Sequence, residues 1–292
     1  LQRIHGSAIL YITHNLGVVA RFCQRVAVMY AGEILEEGPV SRVFSNPAHP
    51  YTRSLLTCIP RLDLSKRDRA LSAIEGRLPN LSDPPPGCIF APRCSERKEE
   101  CETTKVEIDL VGDNENDFVR CLRWRDIPEF SFDRHVRTTD IQAEVTAVDS
   151  LLNIGNLHCY YRLRRGFKDF ITGSATKFVH AIDGIDLVLG RGQTLAVVGE
   201  SGCGKTTLGR AVVGLQSSTA GELVFEGKHL AGLARERGPD LRRRVQIIFQ
   251  NPDATLNPQK SVGEAIRRPL ELFELAPMAE LSDRVTSLLQ SV

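Results

Sequence analysis

Residues 194–215, TLAVVGESGCGKTTLGRAVVGL, decide the fold of this chain. An apolar run is followed by a glycine-rich turn and then by a stretch with helical spacing. The turn, Gly199 to Thr206, matches the pattern G-x-x-x-x-G-K-[ST], in which glycines let backbone N–H groups surround phosphates. A strand before the loop and a helix after it are the context that this pattern requires. The stretch therefore predicts an α/β core that carries a nucleotide site.

The predicted nucleotide contacts come from this loop and from the first turn of the following helix. Lys205 is expected to reach the β- and γ-phosphates, Thr206 to offer its hydroxyl to Mg²⁺, and Thr207 to reach the α-phosphate side. The full predicted set is Gly199, Glu200, Ser201, Gly202, Cys203, Gly204, Lys205, Thr206 and Thr207, and the Cys203 thiol is assigned no chemistry.

Composition excludes several classes of protein. The 292 residues carry 37 basic and 36 acidic side chains, so the chain lacks the basic excess of a general nucleic-acid binder. Its longest apolar runs, such as AILYI, fall far short of the ~20 residues that span a bilayer. The chain begins with Leu1 and shows no secretory signal, which favours a cytosolic protein cut from something longer.

A second motif follows the loop. The apolar run RVQIIFQ is predicted to form a strand that ends at Gln250. With SGCGKTTL and GEL.F.G before it, this stretch resembles the nucleotide-binding domain of ABC ATPases. The resemblance implies that Gln250 contacts Mg²⁺ or the attacking water, while its loop meets a transmembrane partner. A glutamine that only caps backbone groups at a strand end is the alternative.

The same resemblance calls for an aromatic ring that stacks on adenine. HCYYRLRRG offers Tyr160 and Tyr161, and the register favours Tyr161. Adjacent strand residues point to opposite faces, so one tyrosine can stack on the base and the other is expected to pack.

The front of the chain contains a predicted strand, AILYIT, that ends next to His14. ILYITHNLGVVARFCQRVAVMYAGEILEEG resembles the end of an ABC nucleotide-binding domain, which implies that His14 is the switch histidine that contacts the γ-phosphate. The family usually has Asp after this histidine, whereas this chain has Asn15. A strand-end histidine without such a role is the alternative.

The histidine precedes the phosphate loop, which is the reverse of its order within one such domain. A circularly permuted domain would also need an acidic strand end and an LSGGQ-like signature, and the sequence contains neither. The predicted organisation is therefore two partial P-loop NTPase domains in tandem, with His14 and Lys205 at different ATP sites. The boundaries are 1–60 for the end of the first domain, 61–125 for a cysteine-rich extension, 126–150 for a linker and 151–292 for the start of the second domain.

Four cysteines lie close together in the extension. Cys88, Cys94, Cys101 and Cys121 are separated by five, six and nineteen residues, a poor match to the closely spaced pairs of structural zinc sites. Iron–sulfur clusters tolerate more varied spacing, and four unrelated thiols are the alternative. NPAHPYTRSLL followed by G.LP.L..PP.GC.F.PRC resembles the C-terminal extension of oligopeptide/dipeptide-type importer ATPases. That resemblance implies that the four cysteines ligate a [4Fe–4S] cluster.

The resemblance implies an ATPase subunit that energises an ABC importer of peptides or a related solute. It implies two permease subunits, a solute-binding protein outside the membrane, pairing of the two nucleotide-binding domains, and a peripheral position on the cytoplasmic face of the inner membrane. Nucleic acid is not an expected partner. The solute stays open, and this chain alone is expected to bind nucleotide weakly without turnover. The alternatives are a tandem ABC ATPase of DNA repair with a metal-binding cysteine module, and a cysteine region that transfers electrons.

Overall fold

A computed structural model describes residues 2–58, 74–112, 114–128, 130, 150–163, 176–250 and 256–291. The predicted linker, 126–150, therefore lies mostly outside the described residues. The chain divides into two compact units, one of residues 1–212 with 216–230 and one of residues 213–215 with 231–292.

The first unit begins with elements that alternate between helices and strands. The Ala31-Gly32 turn joins two antiparallel strands, β2 Arg25–Tyr30 and β3 Glu33–Pro39. Pro39 ends β3 and caps the helix that follows it. The elements are α1 Gln2–His5, β1 Ile9–Thr13, α2 Leu16–Phe22, β2 Arg25–Tyr30, β3 Glu33–Pro39, α3 Val40–Ser45 and α4 Pro50–Thr57.

The cysteine-rich segment adds short elements to the same unit. A 3₁₀ turn spans Ala91–Arg93, and α5 spans Glu99–Thr103. Two short strands, β4 Asp109–Leu110 and β5 Phe118–Val119, pair with each other, and β5 also pairs with β3. The segment that carries the four cysteines is thus anchored to the main sheet.

The remaining elements of the first unit follow the predicted strand patterns closely. They are β6 Ser150–Arg162, β7 Phe178–Gly190, β8 Thr194–Val198, α6 Lys205–Val212, β9 Ala220–Phe225 and β10 Lys228–His229. Strands β10, β9, β6 and β7 form an antiparallel sheet in that order. The phosphate-loop strand β8 belongs to the other sheet.

That other sheet has the order β1-β8-β2-β3-β5-β4, and β8 runs parallel to both of its neighbours. Strands β1 and β2 are predicted to belong to a different domain from β8, whereas in the structure they flank β8 in one sheet. All five residues of β8 are buried, so the strand needs hydrogen-bonded neighbours on both edges, and β1 and β2 supply them. In this chain, His14 and the phosphate loop thereby follow two neighbouring strands of one sheet.

The second unit is mainly helical: α7 Pro239–Arg244, α8 Val262–Leu272 and α9 Leu281–Gln290. The strand predicted for RVQIIFQ is not formed, and that prediction is wrong for this structure. Ile248 is 87% exposed and Phe249 is 39% exposed. Since a strand is stabilised by pairing with a neighbour, this apolar run stays irregular without one.

No helix in the described parts of the chain is long and apolar enough to cross a membrane.

Candidate functional site: a phosphate loop beside a four-cysteine segment

The glycine-rich loop lies between β8 and α6 and is built on backbone conformations that favour glycine. Gly202 has φ +84° and Gly204 has φ +107°, in the left-handed region. A Cβ on Gly204 would lie 2.2 Å from the Ala181 carbonyl oxygen, and one on Gly199 would lie 2.0 Å from that of Met29. The loop therefore fits closely against its neighbours, and side chains at these two positions are sterically excluded.

Lys205 lies at the start of α6, with its amine folded over the loop. Its Nζ donates hydrogen bonds to the carbonyl oxygens of Gly199 at 2.8 Å and Glu200 at 2.7 Å, and lies 3.4 Å from the Cys203 sulfur. Burial raises the pKa of the Cys203 thiol, and the Lys205 ammonium opposes that rise. The amine therefore supplies a positive charge at the mouth of the loop, where phosphate oxygens would be received.

The loop is also tied to the front of the chain. The Gly32 N–H donates to the Cys203 carbonyl at 3.0 Å, and the Glu200 N–H donates to the Tyr51 hydroxyl at 3.0 Å. Cys203 itself is fully buried, whereas Ser201, Gly202 and Thr206 are exposed. Gly32 in a turn and Tyr51 in a helix, both far from the loop in sequence, thus contact one side of the loop. Its other side stays open to a ligand.

His14 follows β1 at the carboxyl edge of the same sheet. Thr13 pairs with Val198, so His14 and Gly199 are the next residues of two neighbouring parallel strands. The His14 side chain is exposed. The adjacent Asn15 caps α2 by accepting from the N–H groups of Gly17 and Val18. The Asn15 amide oxygen therefore caps the helix, and a carboxylate is not needed at this position for that purpose.

The two tyrosines of β6 have different surroundings. Tyr160 stacks on the His180 ring, with 4.1 Å between ring centroids, and its hydroxyl donates to Asp183. Tyr161 is 37% exposed and has no such ring contact among the described residues. Tyr161 is therefore the ring that remains available for a base.

Gln250 lies in the second unit, on a bend that follows α7, and its side chain is exposed. It is not at the end of a strand, because residues 245–250 form none. Residues 251–255, which follow it, lie outside the described part of the chain.

The four cysteines of the extension line one small pocket that is partly open to solvent. Cys88 donates its backbone N–H to the Cys101 carbonyl at 2.8 Å, which brings the two segments together. Among the described residues, no three His, Cys, Asp or Glu side chains converge closely enough for one metal ion. The four thiols line one pocket without converging on a single point.

Burial changes the acidity of the ionisable groups in this pocket. Burial raises the pKa of Cys88 to about 12 and that of Cys121 to about 11, and neighbouring thiols reinforce both shifts. His49 lines the same cavity, is 1% exposed, and has its pKa lowered to about 3 by burial. The imidazole is therefore neutral, and its Nδ1 accepts from the Tyr51 N–H at 3.0 Å.

Comparison with known proteins agrees with this geometry. Residues 35–101 match the family described as "Oligopeptide/dipeptide transporter, C-terminal region", and residues 182–292 match the "ABC transporter" family. The chain is thus similar to oligopeptide/dipeptide ABC transporter ATP-binding proteins in two separate segments. The two matches include the four-cysteine segment up to Cys101 and the complete phosphate loop.

Curated members of this oligopeptide/dipeptide transporter family are similar over nearly the whole chain. The oligopeptide transport ATP-binding protein OppD of Mycobacterium tuberculosis is 36% identical over 271 residues, which cover 92% of this chain and 43% of OppD. The glutathione import ATP-binding protein GsiA of Escherichia coli K12 is 32% identical over 294 residues, covering 100% of this chain and 38% of GsiA. The chain thus spans about two fifths of the length of these relatives.

Two residues that contact the phosphate loop are not predicted from the sequence. Arg93 forms an ion pair with Glu200 of the phosphate loop, and Tyr51 accepts the Glu200 N–H. Both lie in stretches that carry the family resemblance, APRC and AHPYT, but neither matches a nucleotide-binding pattern. Only their packing against the loop identifies them.

Proposed function

We propose that this chain is the ATP-binding part of a subunit that energises an ABC importer of peptides or a related small solute across the inner membrane. The observation that carries the proposal is the loop from Gly199 to Thr206, with inward-turned backbone and the Lys205 amine at its mouth. The names of the relatives, oligopeptide transport for OppD and glutathione import for GsiA, support this solute class.

The proposed chemistry at the loop is positioning and charge stabilisation. The backbone N–H groups and Lys205 hold the phosphates, and Tyr161 stacks on the adenine. Thr206 would hold Mg²⁺, which supplies charge neutralisation at the β- and γ-phosphates when bound. For Lys205 to contact phosphate, its Nζ exchanges its present carbonyl partners, Gly199 and Glu200, for phosphate oxygens. In the longer protein, His14 would polarise and orient the attacking water at the other phosphate loop, that of the first module.

We further propose that the segments belong to two successive modules of a longer protein: residues 1–60 and 61–125 to the first, residues 151–292 to the second, with 126–150 as a linker. The order of the two family matches, extension before ATPase start, supports this arrangement. So does the collinear similarity to GsiA over the whole chain. In such a protein each half pairs with its own module, and His14 acts at the phosphate loop of the first. In this chain, strands from residues 1–60 pair with a strand from residues 151–292 in one sheet.

The proposed partners follow from the importer role. Two transmembrane permease subunits receive the ATP-driven movement, and a solute-binding protein on the outer side delivers the solute through them. The two nucleotide-binding domains pair with each other, and the subunit lies peripherally on the cytoplasmic face of the membrane. No nucleic acid takes part. The similarity to OppD and GsiA supports this assembly as a class and leaves the choice of solute open.

The test of the proposed activity is titration of this chain with MgATP by isothermal calorimetry, together with phosphate-release assays. We expect weak but saturable binding and no turnover, because the sequence contains neither an acidic strand end nor a signature motif to complete the catalytic site. Absence of any nucleotide binding would contradict the proposed function. Robust hydrolysis would contradict the division into two incomplete modules.

The cysteine cavity is proposed to hold a [4Fe–4S] cluster through Cys88, Cys94, Cys101 and Cys121. We expect anaerobically purified protein to contain about four irons per chain, with matching sulfide. Cys101→Ser removes a buried donor from the cavity and is expected to abolish most of the iron. Cys58→Ser, a half-buried cysteine outside the cavity, is the control and should keep the iron. Stoichiometric zinc without iron, or full iron in Cys101→Ser, would refute the cluster.

A further inference from the structure

Two buried N–H donors line the four-cysteine pocket without an acceptor. His49 and Arg123 are among the residues that surround this pocket. Within the described parts of the chain, the atoms His49 Nε2 and Arg123 Nε are shielded from solvent and have no hydrogen-bond partner. A buried donor without a partner destabilises the folded state, and nearly all such groups in proteins are paired. Two of them at one pocket therefore indicate that the pocket receives an acceptor.

The position of the proton on the His49 ring follows from its neighbours. Nδ1 accepts the Tyr51 N–H at 3.0 Å and caps the start of α4, so Nδ1 carries no proton. Burial lowers the pKa of the imidazole to about 3, so the ring is neutral and its single proton lies on Nε2. The Arg120 carbonyl acts on the ring electrostatically, yet it lies outside hydrogen-bonding geometry. Nε2 is therefore a donor that no described residue satisfies.

Arg123 adds a positive charge to the same pocket. Its Nη1 donates to the Glu96 backbone carbonyl, whereas its Nε stays unpaired among the described residues. Burial raises the pKa of the Cys94 and Cys121 thiols, and the Arg123 charge opposes that rise at both. The guanidinium thus lies close enough to stabilise negative charge on two of the four sulfur atoms.

Backbone N–H groups also contact the cysteine sulfur atoms. Three of the four sulfurs accept the backbone N–H of the residue two positions later in the chain: Cys88, Cys94 and Cys121. Hydrogen bonds of this kind stabilise the charged form of a group. These donors and sulfurs all lie within residues 49–123, so they belong to the first of the two proposed modules.

We propose that His49 and Arg123 donate hydrogen bonds to sulfur atoms of the group that the four cysteines hold, and compensate its negative charge. The proposal rests on the [4Fe–4S] cluster proposed above. It adds the side chains that set the reduction potential, which depends on hydrogen bonds to sulfur and on nearby charge. Reduction by one electron, supplied in the test by dithionite, makes the bound group more negative. Both donors should therefore favour the reduced form and raise the potential.

The experiment is a redox titration of the anaerobically purified chain with dithionite, followed by electron paramagnetic resonance, with iron and sulfide measured on each sample. His49→Ser and His49→Thr keep an oxygen that caps α4 but remove the Nε2 donor. Arg123→Lys keeps the charge and removes the Nε donor, whereas Arg123→Gln removes both. The control is Arg97→Gln, which subtracts the same charge from the same extension, at a side chain that is 52% exposed.

We expect each His49 variant to lower the equilibrium constant for reduction about tenfold, which is a shift of about 59 mV to lower potential for one electron. Arg123→Gln should lower the potential more than Arg123→Lys does, and Arg97→Gln should match wild type. A second readout is the melting temperature with the iron bound and after its removal. His49→Thr should lower the melting temperature more in the iron-loaded protein, because the iron-free protein has no hydrogen bond at Nε2 to lose.

The outcomes separate this proposal from the proposed cluster. Wild-type protein without iron and sulfide would overturn both. Iron-loaded wild type with the same potential as its His49 and Arg123 variants would overturn the donor roles alone, and so would an equal shift in Arg97→Gln. If the His49 variants lose iron or fail to fold, the Arg123 pair decides. Equal potentials in Arg123→Lys, Arg123→Gln and Arg97→Gln would then contradict the proposal.

Discussion

Replacing Lys205 by alanine is expected to weaken MgATP binding by on the order of 100-fold. The ammonium is the cation at the mouth of the loop, and charge-assisted hydrogen bonds contribute about 1.5–3 kcal/mol each. The substitution also removes the hydrogen bonds from Nζ to the Gly199 and Glu200 carbonyls, so the loop loses internal support. Calorimetric titration with MgATP measures the effect directly.

The control for Lys205→Ala is Lys228→Ala. Lys228 is an exposed lysine on β10, and it lies outside the loop. Its removal subtracts the same charge from the protein while leaving the loop intact. If both variants lose affinity equally, the effect reflects net charge, and the assignment of Lys205 to the phosphates fails.

Arg42→Ala is expected to lower the free energy of unfolding by about 3–5 kcal/mol, the usual cost of removing one partner from a buried ion pair. Arg42 bonds to Glu36 and to Asp117, and donates to the Glu37 carbonyl at 2.7 Å. Glu36 is fully buried, so its carboxylate would lose the cation that compensates its charge. Urea denaturation followed by circular dichroism measures the change.

The destabilisation caused by Arg42→Ala should extend to the backbone of residues 48–49, next to the cysteine pocket. The Glu36 carboxylate also accepts from the N–H groups of Ala48 and His49, each at 2.9 Å. Arg97→Ala serves as the comparison, because exposed ion pairs contribute less than about 1 kcal/mol. A loss below that value in Arg42→Ala would mean that solvent reaches the Glu36 carboxylate.

Local pattern was sufficient to predict much of this structure. The phosphate loop, its flanking strand and helix, and the long strands β6 and β7 follow from periodicity and glycine placement within short windows. The hairpin of β2 and β3 follows from the Ala31-Gly32 turn between two apolar runs. These features depend on residues that are neighbours in sequence, so they can be predicted from short stretches of it.

Partners across long sequence separations could not be predicted. Nothing in AILYIT or RVAVMY indicates that both strands lie beside TLAVV, because an all-apolar strand specifies burial but not its neighbour. RVQIIFQ has an equally apolar pattern, yet it forms no strand. The pairing of Arg93 with Glu200 joins two charged residues whose neighbours in sequence show no relation to each other.

The position of β8 between β1 and β2 has a consequence for how this chain folds when it is produced by itself, without the longer protein proposed above. Ile9 pairs with Thr194, so the strands that flank β8 are made long before β8 leaves the ribosome. Until then, each presents an unsatisfied apolar edge, which is the kind of surface that associates with other nascent chains. Pairing over such a sequence separation is also slow, because the entropy cost of closing a long loop comes before any contact stabilises the pair. The sheet that carries the nucleotide loop is thus completed late, and chaperones that cover open strand edges should matter most for the yield of folded protein.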